Sequence, residues 1–343
     1  MLTKDRLSAF VEALMRRYRV FAPVRRAEEL RFEALSSADE AVLDYRNTLK
    51  APKGILLPQT ECLIRFQRPL DQFNAVDAVP LEAAPTVILG VRPCDARSFL
   101  MLDRVFCQGK YTDPYYKARR EATWIISLAC DHPRPTCFCH AFESGPYDSA
   151  GADILMREAG DAYLLQAVSD RGAQLLEGLN LPAADVAHLA QAEEIEAQAR
   201  ARLREVTPVK GIEEGLDHLF ESKVWQEIAE KCIACGTCTY ICPECHCFNI
   251  EDRVLLSRGE RVRSWDACMY STFTLHASGH NPRPDQASRW RQRVMHKFNY
   301  LPRNVGLYGC VGCGRCVLAC PVRLDIRQVL QRVREACAAP DRV

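Results

Sequence analysis

The sequence predicts an α/β N-terminal domain with a partly parallel sheet, joined to an α-helical, cysteine-rich C-terminal domain that carries a long insertion. Three observations predict it. Strand, helix and strand patterns alternate over residues 1–180, the order that lays helices onto a partly parallel sheet. One cysteine pattern occurs twice later on, as Cys232-x-x-Cys235-x-x-Cys238-x-x-x-Cys242-Pro243 and Cys310-x-x-Cys313-x-x-Cys316-x-x-x-Cys320-Pro321. Between these regions, residues 183–206 are rich in Ala, Glu and Arg and contain neither Pro nor Gly. The expected divisions are 1–180 for the α/β domain, 181–215 for a helical linker and 216–343 for the C-terminal domain, with 244–309 as its insertion.

Taken in order, residues 4–18 set Leu7, Phe10, Val11, Leu14 and Met15 at helical spacing behind Thr3 as N-cap. From Phe21 to Pro80, short apolar pieces alternate with Pro and Gly, and Cys62, which has no cysteine neighbour, reads as a small buried hydrophobe. Thr86–Val91 and Thr123–Leu128 are rich in β-branched residues and bounded by turn signals, so both read as buried strands, with a helix over 98–106 between them. A strand over 163–168 precedes a short helix over 172–179. Residues 183–206 then form a solvated helix. Leu216, Leu219, Phe220, Val224 and Ile228 carry helical spacing up to Cys232. After the second cysteine run, Asp325 caps a helix whose Ile326, Val329, Leu330 and Val333 share one face, continued by Cys337 as packing.

At 343 residues the chain can bury a large core in two or more domains, and its 48% apolar and 26% charged residues are ordinary for a globular protein. A net charge of +1 gives no global attraction to nucleic acid or to a membrane surface. No run approaches the roughly 18 apolar residues of a spanning helix, and Arg16-Arg17 lies inside a helical pattern with no signal-type apolar run after it. No membrane span and a cytoplasmic location are therefore expected. No Gly-x-Gly-x-x-Gly follows a strand, no Walker A loop is present and no paired motifs for nickel ligation occur, so a nucleotide site is not expected on this chain.

Eighteen cysteines demand a reason, and in a cytosolic protein of this size the reason is metal or redox chemistry more often than disulfides. The repeated run has the bacterial ferredoxin spacing for two 4Fe-4S clusters, in which a tight loop supplies three thiolates and the fourth cysteine ligates the other cluster. One cluster is thus assigned to Cys232, Cys235, Cys238 and Cys320, and the second to Cys310, Cys313, Cys316 and Cys242. Gly236, Gly312 and Gly314 leave room for backbone amides to approach the sulfurs. A disulfide framework and a pair of zinc ribbons are the alternatives. Zinc ribbons, however, pair their cysteines as separated knuckles, whereas each run here is a continuous set of four ending in Pro.

Further cysteines fall in two groups. Cys94, in Arg92-Pro93-Cys94-Asp95, and Cys130 each follow a predicted strand, and Cys137-Phe138-Cys139 comes shortly after. Loops at the carboxyl ends of strands carry the sites of open α/β sheets, so these four cysteines are candidate ligands of a third 4Fe-4S cluster. The alternatives are inert core residues, a redox switch or a metal knuckle. The second group is Cys245, Cys247 and Cys268, where a hairpin around Ser257-Arg258-Gly259 folds Cys268 back toward the other two. Packing or hydrogen bonding to cluster sulfur is expected there. His276 and His280 have helical ligand spacing, but Gly279 and Pro282 argue against a helix that presents both. The run Arg289-Trp290-Arg291-Gln292-Arg293 reads as a solvated or subunit-facing basic surface.

Four motifs together resemble a known family: Arg92-Pro93-Cys94-Asp95, Cys137-Phe138-Cys139, Cys242-Pro243-Glu244-Cys245-His246-Cys247-Phe248 and Gly279-His280-Asn281-Pro282-Arg283. They look like the iron–sulfur beta subunit of cytoplasmic NAD(P)-linked nickel–iron hydrogenases, the sulfhydrogenases, and are similar to the corresponding iron–sulfur subunit of anaerobic sulfite reductase. The resemblance implies an electron-transfer subunit between a hydrogenase catalytic unit and a flavin-bearing, NAD(P)H-oxidising subunit. A relay in a sulfite reductase or heterodisulfide-reductase-linked complex is the runner-up, and a zinc-stabilised scaffold a third reading. Residues alone support relay capacity, since clusters without a nucleotide pocket carry electrons but perform no hydride chemistry.

Overall fold

A computed structural model describes residues 1–67, 75–81 and 83–338. Strands β1 (Leu2–Thr3), β2 (Arg19–Arg26), β3 (Glu29–Ala34), β4 (Thr60–Gln67), β5 (Ala75–Ala78), β6 (Thr86–Val91), β7 (Thr123–Leu128), β8 (Ile154–Ala159), β9 (Ala162–Ala167), β10 (Phe248–Leu255) and β11 (Arg258–Trp265) form two sheets. The larger has the order β1-β9-β8-β7-β6-β2-β3. Its centre, β2, β6, β7 and β8, is parallel, and its two flanks are antiparallel. Both strands expected from β-branched runs form over the expected residues. Where the pattern between residues 21 and 80 reads as broken apolar pieces, β2 to β5 form instead. Pairing of β2 with β6 stops at Phe21, two residues before Pro23, which has no N–H to give a ladder.

Helices α1 (Leu7–Met15) and α2 (Pro93–Cys107) cover opposite faces of this sheet. Phe10, Val11 and Leu14 of α1 pack with Val20, Val87, Leu89 and Ile126. On the other face Phe99, Leu102 and Phe106 of α2 pack with Ile88, Val91 and Ile125. The alternation of Val87 and Leu89 with Ile88 follows the period of two in a strand. It is broken once, at Gly90, which has φ +78° and coincides with a register shift between β6 and β7. A Cβ on Gly90 would lie 2.7 Å from Leu43. This bulge re-aims the strand end that carries Arg92 to Asp95.

Short α3 (Pro114–Glu121) and α4 (Asp170–Glu177) complete this part of the chain. The stretch expected as a linker is shared between two cores. Its helix α5 (Val186–Ala201) lies on the large sheet, burying Ala192 and Ala199 and pairing Glu196 with Arg157 at 3.1 Å. Val209 and Ile212 join a separate core with Leu216, Trp225, Trp290 and Phe298. That core is built from α6 (Ile212–Leu216), α7 (Val224–Ala229), α8 (Thr237–Tyr240), α9 (Gln286–Met295), α11 (Arg315–Leu318) and α12 (Ile326–Ala338), while α10 (Leu301–Val305) packs Leu301 and Val305 into the core under α2. Phe138 and Phe142, from the N-terminal half, are also part of it.

The hairpin β10–β11 forms within the insertion as expected, but it also crosses to the N-terminal half. β11 pairs with β4, giving the second sheet the order β10-β11-β4-β5. Arg263 of β11 is buried and reaches Glu61 of β4 at 2.5 Å and the Asp113 carboxylate, so the crossing is fixed by charge as well as by backbone.

Candidate metal centres

The two cysteine runs follow one backbone path. Ala234 and Gly312, at equivalent positions, are left-handed with φ of 58° and 64°, as are Gly236 and Gly314 with φ of 72° and 71°. Gly236 and Gly314 then start α8 and α11, so each run wraps a loop and turns into a short helix. Cys232, Cys235 and Cys238 share one cleft with Cys320 of the opposite run. Cys242 lies in the field of Cys310, Cys313 and Cys316, whose thiols are raised first by burial and then by neighbouring groups that include Cys242. Cys320 of the second run thus shares a cleft with the first three cysteines of the other run, together with Cys316, and Cys242 lies near the second run.

The third group also converges. Cys94, Cys130, Cys137 and Cys139 line one small cavity, with Cys313 of the second run at its wall. Cys94 opens α2, and Cys130 follows β7, the parallel neighbour of β6. Residues 136–139 are laid on the second run: the Phe138 N–H donates to the Gly312 carbonyl at 2.8 Å. A Cβ on Gly312 would come within 2.4 Å of the Phe138 carbonyl oxygen, and one on Gly314 within 2.5 Å of that of Thr136. Glycine is what lets these two backbones touch.

A buried ion pair locks the same junction. Arg315, between Cys313 and Cys316, binds Asp95 at 2.6 and 2.7 Å, with the pair 3% and 0% exposed. Arg315 also donates to Asn47 Oδ1 and the Thr48 carbonyl. Arg92 stacks on Tyr45 and donates to the Ala129 carbonyl beyond β7. Sequence reasoning missed the Asp95–Arg315 pair; its signal was one charged residue inside each of two cysteine motifs. Burial pushes Cys94 well above the usual thiol range, Cys137 up to about 11 and Cys139 up to about 12. A metal bound here would release protons.

Besides Arg315 and Lys53, two more buried cations sit among the cysteines. Arg293 is 3% exposed and Lys297 5%. Arg293 donates to Thr239 Oγ1 and the Cys238 carbonyl, with Cys245 Sγ at 3.8 Å; Lys297 Nζ lies 3.4 Å from Cys242 Sγ and donates to the Gly309 carbonyl. Neither ion-pairs with a carboxylate among the described residues. Burial works against both charges, yet the thiols around them hold both pKa values above the ordinary range. The expected basic surface over 289–293 is corrected here. Arg289, Trp290, Arg293 and Val294 lie on the inner face of α9, and only Arg291 of the three arginines turns outward, onto Phe220 and Glu221. His276 and His280 sit in an exposed turn with ring centres 5.3 Å apart, outside any helix.

Cys247 lies beside Cys268, and Cys245 beside Cys242, each pair close enough to shift one another's thiol titration. The hairpin explains this: the Asp266 N–H donates to the Cys247 carbonyl at 2.9 Å, just beyond the last ladder pair Phe248 and Trp265.

The donor sets fit iron–sulfur clusters. Mostly half-buried thiols, with Cys139 buried and Cys235 exposed, gather around clefts in sets of four, the number a cubane takes. Cationic Arg293 and Lys297 lie where an anionic cluster needs compensation. A 4Fe-4S dicluster domain family matches residues 231–324. Over 320 residues, 92% of this chain and 92% of the relative, the sequence is 34% identical to sulfhydrogenase 2 subunit beta of Pyrococcus furiosus. No solved structure matches the chain.

Proposed function

Because the chain belongs to the sulfhydrogenase beta-subunit family, we propose that it is the iron–sulfur electron-transfer subunit of a hydrogenase complex. It works in the cytoplasm, between a nickel–iron catalytic unit and a flavin-bearing, NAD(P)H-oxidising subunit. No helix among the described residues is long and apolar enough to cross a membrane. The observation that carries the reading is that Cys94, Cys130, Cys137 and Cys139 line one cavity and Cys232, Cys235, Cys238 and Cys320 another, with cysteines of the second run at the wall of both. Cys313 stands between the third cavity and the second set, and Cys316 between the second set and the first.

In this reading Cys232, Cys235, Cys238 and Cys320 hold one 4Fe-4S cluster, Cys310, Cys313, Cys316 and Cys242 a second, and Cys94, Cys130, Cys137 and Cys139 a third. Such clusters supply one-electron carriage. The chain supplies their order, the Asp95–Arg315 lock that fixes the third set against the second, and the cations that offset buried negative charge.

Anaerobic purification of the tagged chain from its native host tests this. It should bring down nickel and flavin with it, and the separated chain should accept electrons from dithionite but show no NAD(P)H-dependent dye reduction. A complex without nickel, or flavin bound to the separated chain with NAD(P)H turnover, overturns the reading. Replacing Cys137 and Cys139 by Ser should remove about four irons per chain, one cluster's worth. Unchanged iron removes the third cluster.

A further inference from the structure

Cys247 and Cys268 belong to none of the three sets. Each nevertheless faces a cavity of about 330 Å³ that Cys245, His246, Arg293 and Lys297 also line. The hairpin ladder ending at Phe248 and Trp265, with the Asp266 N–H on the Cys247 carbonyl, sets the two thiols side by side, and Cys268 Sγ lies 3.8 Å from Thr239 Oγ1, next in the chain to Cys238. Cys245 is already engaged with Cys242, a ligand in the second set. The pair therefore stands alone as a dithiol.

Its surroundings are those of a reactive pair. The bond from Cys247, then the Arg293 cation, hold the Cys268 thiol down at about 5. Glu244, 3% exposed on the same cavity, leaves Oε2 without a partner, and Arg293 leaves Nε without one. Unpartnered buried groups at a cavity mark a site built for chemistry or for a guest. The fold makes the arrangement from both sides: hairpin β10–β11 returns Cys268 to Cys247, and α9 passes into a π-helical turn, His296–Tyr300, that sets His296 and Lys297 against the cavity.

We propose that Cys247 and Cys268 form a redox-active dithiol/disulfide site that exchanges two electrons with the adjacent clusters, a step that rests on the iron–sulfur reading above. In the oxidising direction the Cys268 thiolate and the Cys247 thiol join in one S–S bond. The Cys247 proton leaves to solvent in the cavity. Two electrons are released, one to an oxidised cluster at the Cys232 set and one to an oxidised cluster at the Cys310 set. Reduction reverses each change. The pair gives a chain of one-electron carriers a local two-electron step, the unit in which hydride and dihydrogen are handled.

The test uses the full chain prepared anaerobically, one sample reduced with dithionite and one oxidised with thionine, each quenched in acid, alkylated and mapped by mass spectrometry. The oxidised sample should contain a peptide pair linked through Cys247 and Cys268, and the reduced sample should carry both as alkylated thiols. Reductive titration of Cys247→Ser should consume two fewer electrons per chain, with iron content and cluster spectra unchanged. Alkylated Cys247 and Cys268 in the oxidised sample overturn the proposal, as does a loss of iron in Cys247→Ser. The peptide map of the unaltered chain needs no variant to fold. Its iron content separately decides the cluster reading: absent iron with a linked pair sinks that reading and the electron exchange, while full iron with no linked pair sinks the dithiol alone.

Discussion

Lys297 and Arg293 are buried cations, and cysteine sulfur is among what meets them. Removing Lys297 as Lys297→Met takes a cation away from 3.4 Å of Cys242, which disfavours the more negative, reduced state of a cluster held there. The midpoint potential should fall by at least about 59 mV, a tenfold change for one electron, in a spectroelectrochemical titration; an unchanged potential denies the electrostatic role. Asp95→Ala leaves Arg315 buried and unpaired, which should cost about 3–5 kcal/mol in denaturant unfolding. The double replacement Asp95→Leu with Arg315→Met should recover much of that loss. His296 adds a pH dependence: burial, then His246 and Lys297, hold it down at about 3, against 6.5 for an ordinary imidazole. Between these values the unfolded chain binds the extra proton, so stability falls as pH drops from 6.5 toward 3. His296→Gln should flatten that slope, read from unfolding midpoints across the window.

At the scale of elements, the two cysteine loops are one conformation used twice with different tolerance. Ala234 occupies the left-handed region at a cost of about 1 kcal/mol or more. Gly312, its counterpart, has the backbone of residues 136–139 against it. Gly312→Ala should therefore lower the melting temperature and expose Cys137 to alkylation, whereas Ala234→Gly should be neutral or stabilising; equal effects of the two would deny that the contact with Phe138 matters. The hairpin β10–β11 shows the same economy. Its ladder returns Cys268 to Cys247, while its outer pairing with β4 and the Arg263–Glu61 contact tie the insertion to the N-terminal half.

Across the whole molecule, the crossing of the fourth ligands is the feature most open to test. Cys320→Ser should convert or abolish the cluster signal belonging to Cys232, Cys235 and Cys238 and spare the other, because Cys320 shares their cleft. Loss of the other signal alone would reverse the assignment. The two halves of the chain are not independent bodies joined by a linker: Phe138 and Phe142 sit in the C-terminal core, and Arg315 is buried against Asp95 and Asn47. Local damage at that junction should be felt by both.

The sequence by itself determined what is local. The spacing of the cysteine runs carries the cluster chemistry because loop geometry is set within seven residues. The β-branched runs at 86–91 and 123–128 determined two central strands because burial on both faces leaves a continuous apolar signature. Only the tertiary structure decided the rest. Pairing of β11 with β4 joins residues about 200 apart, and no periodicity records such a partner. The burial of Arg293, Lys297 and Arg315 was illegible for a related reason. Long cationic side chains are solvated by default, and they stay inside only where groups distant in sequence, here cysteine sulfurs and the Asp95 carboxylate, converge on them.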